Sequence, residues 1–204
     1  MKRVGVVDYD AGNLTSVRTA LKYVEAEYII SSQPDELENT DTLIFPGVGE
    51  AGAAMEKLKN RGLDKFLRDY FSSKRPMLGI CLGSQIVLST SEEKETECLG
   101  LLSGVARRFP RNSGLKVPHM GWNQVSPVGT SLLFKDIPDN TSFYFVHSYY
   151  PDPEEVSAVI ARSEYGITFT AALKKDNLQA VQFHPEKSGK WGLKVLHNFL
   201  TEGA

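Results

Sequence analysis

The chain has 204 residues, 41% of them hydrophobic and 24% charged, with a formal net charge of −2. That length suffices for one sizeable core, and the near-neutral balance argues against a nucleic-acid groove or an anionic membrane surface. Two cysteines make no disulfide framework, and with four scattered histidines and no CxxC pair a zinc site has no support.

The N-terminal stretch MKRVGVVDYDAGN has basic residues but about four apolar ones before an aspartate, against the roughly 7–15 of a signal peptide. No apolar run approaches the ~20 residues that span a bilayer. The expectation is a cytoplasmic protein with free thiols and neither metal nor cofactor.

Strand and helix signals alternate through the first half. VGVV (4–7) is a continuously apolar run, as a strand buried on both faces requires. NLTSVRTALKYV follows, with Leu14, Val17, Leu21 and Val24 on one helical face. TLIF (42–45) reads as the second buried strand, ended by PGVG. AAMEKL and LDKFLRDYF are helical patterns. MLGI (77–80) is a third strand, running into Cys81, and SQIVLS begins a helix. This order predicts a parallel sheet with right-handed crossovers.

The second half is β-rich. GVARRF, NQV, FYFVHSYY, AVIARSEY, ITFTAAL and LQAVQF are short segments separated by turn residues, and KKDNLQ reads as a hairpin. These predict antiparallel strands. GLKVLHNFL closes the chain as a helix, with Leu193, Leu196, Phe199 and Leu200 on one face. No linker rich in Pro, Gly or Ser interrupts 1–204, so one mixed domain is expected.

GICLGSQ (79–85) carries the chemistry. A strand ending in G-x-C-x-G before a helix is the thiol form of a nucleophile elbow. Such a turn brings the flanking residues close together, so Gly79 and Gly83 suit it, and the unpaired N–H groups at the helix start favour a thiolate. The plain alternative is a small buried side chain packed between glycines. Cys98, in EKETECLG, has neither the strand nor the glycines.

Among His119, His147, His184 and His197, His184 in VQFHPEKS stands out. It ends an apolar run, Pro185 biases it towards extended geometry, and Glu186 lies two residues on, on the same side. A carboxylate there would fix the imidazole's tautomer. Alone, the pair also reads as a strand-end histidine beside a solvated glutamate. PGVG (46–49) lies between a strand and a helix, at the sheet edge where Cys81 is expected. Its glycines allow outward amides, and the Leu82 N–H would be a second donor to an oxyanion; the plain reading is a strand-to-helix turn. Neither GxxxxGK[ST] nor GxGxxG occurs.

GICLGSQ and FHPEKS together resemble the class I, triad-type glutamine amidotransferases. DYDAGNL, PGVGEAGAAM, PHMGWN and FVHSYY narrow the resemblance to the branch of glutaminase subunits that serve a (β/α)8-barrel cyclase in histidine biosynthesis. The likeness runs from residue 4 to about 200. It implies an α/β, flavodoxin-like fold: three layers, with a central, mostly parallel sheet flanked by helices and antiparallel strands in the C-terminal half. It implies that Cys81, His184 and Glu186 form a triad, and that Val48, Gly49 and Leu82 hold the oxyanion. Gln85, Glu93, Ser148 and Tyr149 would bind glutamine. Asn13, Trp122, Asn123, Tyr144 and Lys187 would face the cyclase, to which ammonia passes. A related synthase that amidates another acceptor, such as a surface-sugar precursor, is the alternative.

Overall fold

The apolar run VGVV lies within strand β1 (Arg3–Val7), which enters helix α1 (Leu14–Tyr23). The structure, a computed structural model, describes residues 3–110 and 114–202. Next come β2 (Glu27–Ser31), α2 (Pro34–Glu38), β3 (Thr42–Gly47), α3 (Ala51–Asn60), α4 (Leu63–Ser72), β4 (Met77–Cys81) and the five-residue α5 (Leu82–Ile86). Short strands β5 (Thr90–Ser91) and β6 (Thr96–Glu97) precede β7 (Gly104–Arg108), β8 (His119–Pro127), β9 (Thr141–His147) and β10 (Tyr149–Pro153). The chain ends with β11 (Val159–Glu164), β12 (Thr168–Lys175), β13 (Leu178–Val181) and α6 (Gly189–Glu202).

Nine strands form the main sheet in the order β2-β1-β3-β4-β13-β12-β11-β8-β9. The first five are mutually parallel, as the alternating first half predicts. From β13 onward neighbours pair antiparallel. The hairpin read in KKDNLQ joins β12 to β13, and β13 is also the parallel neighbour of β4. A second sheet, β10-β7-β5-β6, covers one end of the site.

The pleat sends alternate residues to opposite faces. Ile44, Leu78 and Ile80 pack with Val17, Leu21, Leu196 and Phe199 of α1 and α6. Leu43, Phe45 and Met77 pack with Met55, Leu58, Leu67 and Tyr70 of α3 and α4. Helices thus cover both faces, giving the expected three layers. The predicted face of α6 holds: Leu196 and Phe199 are buried, and Leu193 and Leu200 pack at its margin.

The short strands β5 and β6, the strand β2 and the helix after it were not legible. EYIIS forms β2, and a short helix follows it, where the sequence reading places no strand between α1 and TLIF. β2 is an edge strand and mostly half-buried, so it lacks the continuous apolar signature of β3 and β4.

Candidate active site

Cys81 is the last residue of β4 and the N-cap of α5, with φ 54° and ψ −107°. A non-glycine residue held there is strained, and such strain concentrates at functional positions. The glycines permit it. A Cβ on Gly79 would come within 3.0 Å of the Gly83 backbone, and one on Gly83 would collide with the Phe45 carbonyl oxygen. The elbow expectation therefore holds, with Gly83 also pressed against β3. Both cysteines are free and buried.

Parallel register decides what stands beside Cys81. On one side Gly47 of β3 pairs with Cys81. On the other, Val181 pairs with Ile80, which brings Gln182 alongside Cys81. The next residue on that side of the chain is His184, 1% exposed, and its Nδ1 lies 2.8 Å from Glu186 Oε1. The carboxylate only accepts, so Nδ1 carries the proton and Nε2 is left to take or give another. Nε2 has no aligned hydrogen-bond partner among the described residues.

Burial alone would lower the His184 pKa. The nearby Cys81 sulfur, together with the Glu186 carboxylate, outweighs it and pushes the imidazole up to about 10. An imidazole held that way keeps its proton at neutral pH. Cys98 differs. Burial first, and then the charges of Glu93 and Glu97, push its thiol up to about 12, which leaves it inert at neutral pH.

A cavity of about 240 Å3 opens over Cys81, lined by Val48, Gly49, Leu82, Gln85, Glu93, Pro118, Val146, His147, Ser148 and Tyr149. Every residue expected at the oxyanion or the substrate meets here. Two are already engaged. The Glu93 Oε2 accepts the Ala51 N–H at 2.7 Å, and Gln85 Nε2 donates to the Tyr149 carbonyl at 2.9 Å. Gln85 therefore presents its oxygen, not its nitrogen, as its uncommitted group.

The PGVG segment is in a conformation that engages one of its amides elsewhere. The Val48 N–H donates to the Ala11 carbonyl at 3.2 Å, so it does not serve as an oxyanion donor in this conformation. Gly49, with φ +97° and nothing within 4 Å of a built Cβ, gives the peptide room to turn. The Leu82 N–H heads α5, where no intrahelical acceptor exists for it.

The expected partner-facing residues sort by strand alternation. Trp122 and Met120 of β8 point outward, 60% and 63% exposed. Trp122 sits opposite Tyr144 of β9, their rings edge to face at 6.1 Å, and the Lys187 ammonium lies 5.9 Å from the Tyr144 ring centre. Trp122 is thus a surface residue, not part of the core. Asn13 is exposed and caps α1, accepting the Ser16 N–H at 3.3 Å. The Asn123 side chain turns inward, to His119 Nε2 at 3.2 Å and the Glu164 carbonyl at 2.8 Å.

Sequence reasoning passed over Gln182, His119 and His147. Gln182 lies two residues before His184 in extended chain, so it shares that side; this spacing was the available signal. His119 and His147 face each other across β8 and β9, with Nδ1 and Nε2 2.9 Å apart. Burial lowers their pKa values to about 4 and about 3, so both are neutral.

A family model, glutamine amidotransferase class-I, matches residues 6–202. The chain belongs to the class I glutamine amidotransferase family. This amidotransferase is 45% identical over 198 residues to the imidazole glycerol phosphate synthase subunit HisH of Herpetosiphon aurantiacus, covering 97% of this chain and 93% of that protein. It is 47% identical to the subunit of the same name from Nitrosococcus oceani, covering 98% of each. In fold it is similar to a solved structure of PurLQS from Thermotoga maritima, with a TM-score of 0.75 at 20% identity over 99% of both chains.

Among the described residues of this amidotransferase, no group of three or more His, Cys, Asp or Glu is placed to hold a metal ion. No described helix is long and apolar enough to cross a membrane.

Proposed function

We propose that this chain is the glutaminase subunit of an imidazole glycerol phosphate synthase. In this reading it hydrolyses glutamine and hands ammonia to a (β/α)8-barrel cyclase. The arrangement that carries the reading is Cys81, with His184 and Glu186 behind it, beneath a cavity of about 240 Å3. The near-full-length likeness to proteins of that name supports the choice of synthase.

The chemistry follows from the protonation states. The Cys81 sulfur attacks the carboxamide carbon, and the carbonyl oxygen becomes an oxyanion held by the Leu82 N–H and by the Val48 N–H once that peptide has turned. His184 gives its Nε2 proton to the departing nitrogen, and ammonia leaves behind a glutamyl thioester. Forming the thioester removes the negative sulfur that held the His184 pKa up, while burial still pushes it down. The imidazole thereby changes from acid to base. It takes a proton from water, the hydroxide attacks the thioester, and glutamate leaves as the sulfur is restored. Glu186 keeps the ring oriented throughout.

Gln85, Glu93, Ser148 and Tyr149 line the space for the amino-acid end of glutamine. Trp122 and Met120, with Tyr144 and Lys187 beside them, supply an aromatic and basic face that suits a docking partner, and the exposed Asn13 would join it there. The test is reconstitution with a (β/α)8-barrel cyclase and its nucleotide substrate. Glutamine-dependent formation of imidazole glycerol phosphate is the expected result. A complex that forms only with a different synthase, and amidates another acceptor, would replace this reading.

A further inference from the structure

The carbonyl oxygen of Tyr149 can only accept hydrogen bonds, and it takes two: Gln85 Nε2 at 2.9 Å and His147 Nδ1 at 2.7 Å. The first fixes which end of the Gln85 amide is nitrogen. That nitrogen also lies 2.9 Å from Gln182 Oε1. A flipped Gln182 would set two NH2 groups against each other, so the assignment follows from the network. The other end of Gln182, its NH2, is then held 3.8 Å from Cys81 Sγ. Gln182 is fully buried, and its place beside Cys81 follows from the β4–β13 register.

We propose that Gln182 is a further catalytic residue: its Nε2–H donates to the sulfur of Cys81 and stabilises the thiolate that attacks glutamine. The sulfur then has a partner in each state. As a thiol it can donate to the Val146 carbonyl at 3.9 Å; as a thiolate it accepts from Gln182. A hydrogen bond to the charged form favours that form. The same Tyr149 carbonyl orients a second arm. His147 Nδ1–H points at it, His119 Nδ1–H points at His147 Nε2 2.9 Å away, and Asn123 donates to His119 Nε2. One carbonyl thus joins a hydrogen-bonded chain that runs from Cys81 to Asn123, which lies beside Trp122 on β8.

The test uses the isolated chain, Gln182→Glu and Gln182→Met. The glutaminase reading is needed only for the kinetic arm, because iodoacetamide reacts with Cys81 without glutamine or partner. Cys98 serves as the slow internal control. In Gln182→Glu the pH profile of Cys81 alkylation moves up by about one unit, so the rate on the rising acid limb of the profile falls about tenfold. Gln182→Met, which removes the donor and adds no charge, moves it the same way by about half as much. In the cyclase complex, Gln182→Glu lowers kcat about tenfold with KM for glutamine within about twofold, since a carboxylate still accepts from Gln85. An unmoved alkylation profile in Gln182→Met overturns the proposal. A moved profile without glutamine turnover in the unaltered complex upholds it while removing the glutaminase reading. If either variant fails to fold, the side-chain amide protons of Gln182 are followed by NMR in the unaltered chain. They shift with the ionisation of Cys81 and lose that shift on alkylation; no response overturns the proposal.

Discussion

The Val48 amide is bonded to the carbonyl of Ala11, across the gap between the first turn after β1 and the strand that ends in PGVG. β1 and β3 are adjacent parallel strands, so their carboxyl ends meet beside Cys81. Cys81, His184 and the cavity stand together while the Val48 amide is turned away from them.

Slow glutamine hydrolysis by the isolated chain is the first expected outcome, with stimulation of a hundredfold or more by the cyclase and its nucleotide ligand. One lost oxyanion donor costs about 10²–10³ in rate, which sets that scale. Equal turnover by the free chain and the complex would show that the Val48–Ala11 bond restrains nothing.

Replacing Cys81 separates chemistry from scaffold. Cys81→Ala removes the nucleophile, and glutamine-dependent synthesis falls by about 10³-fold or more. The complex still accepts free ammonia, because the alanine needs no partner in that buried position. Parallel assays with glutamine and with ammonium salts check this, and loss of both activities would mean that the cysteine is structural.

Gly83→Ala tests the elbow. Its Cβ would collide with a backbone oxygen of β3 rather than a movable side chain, an overpacking cost of about 1–3 kcal/mol. For a chain of this size that is a fall in Tm of roughly 2–12 °C. Gly49→Ala meets no atom within 4 Å and is opposed only by its positive φ, so its fall is smaller. Thermal unfolding of the two variants orders them.

His119 and His147 tie stability to acid. Each folded-state pKa, about 4 and about 3, lies below the ordinary value of 6.5. Below pH 6.5 the unfolded chain therefore binds protons that the folded chain refuses, and stability falls as pH drops towards 4. The linked loss is a few kcal/mol. Urea midpoints at pH 7, 5.5 and 4.5 report it; flat midpoints across that window would mean that the pair is not held neutral.

Trp122→Ala separates docking from folding. A residue 60% exposed contributes little to the monomer's Tm, while an aromatic anchor at an interface is worth about 2 kcal/mol or more. Binding to the cyclase therefore weakens roughly thirtyfold with Tm nearly unchanged, as calorimetric titration and thermal scans would record. A large fall in Tm instead would assign Trp122 to the fold.

Local pattern made much of this molecule readable. Continuous apolar runs marked β1, β3 and β4 because strands covered on both faces need apolar residues at every position. Cys81 between two glycines, and Glu186 two residues after His184, were legible because an elbow and an extended dipeptide are local geometries. β2 was not, since an edge strand keeps only half its surface from water.

The sequence by itself determined the kinds of element and the local geometry of Cys81 and of the His184–Glu186 pair, because hydrophobic period and backbone geometry act over a few residues. Tertiary structure alone decided that Gln182 lies beside Cys81, that Asn123 turns inward to His119, and that the Val48 amide is bound to Ala11. Each of these joins segments far apart in the chain, and only strand register and the satisfaction of buried polar groups fix such pairs.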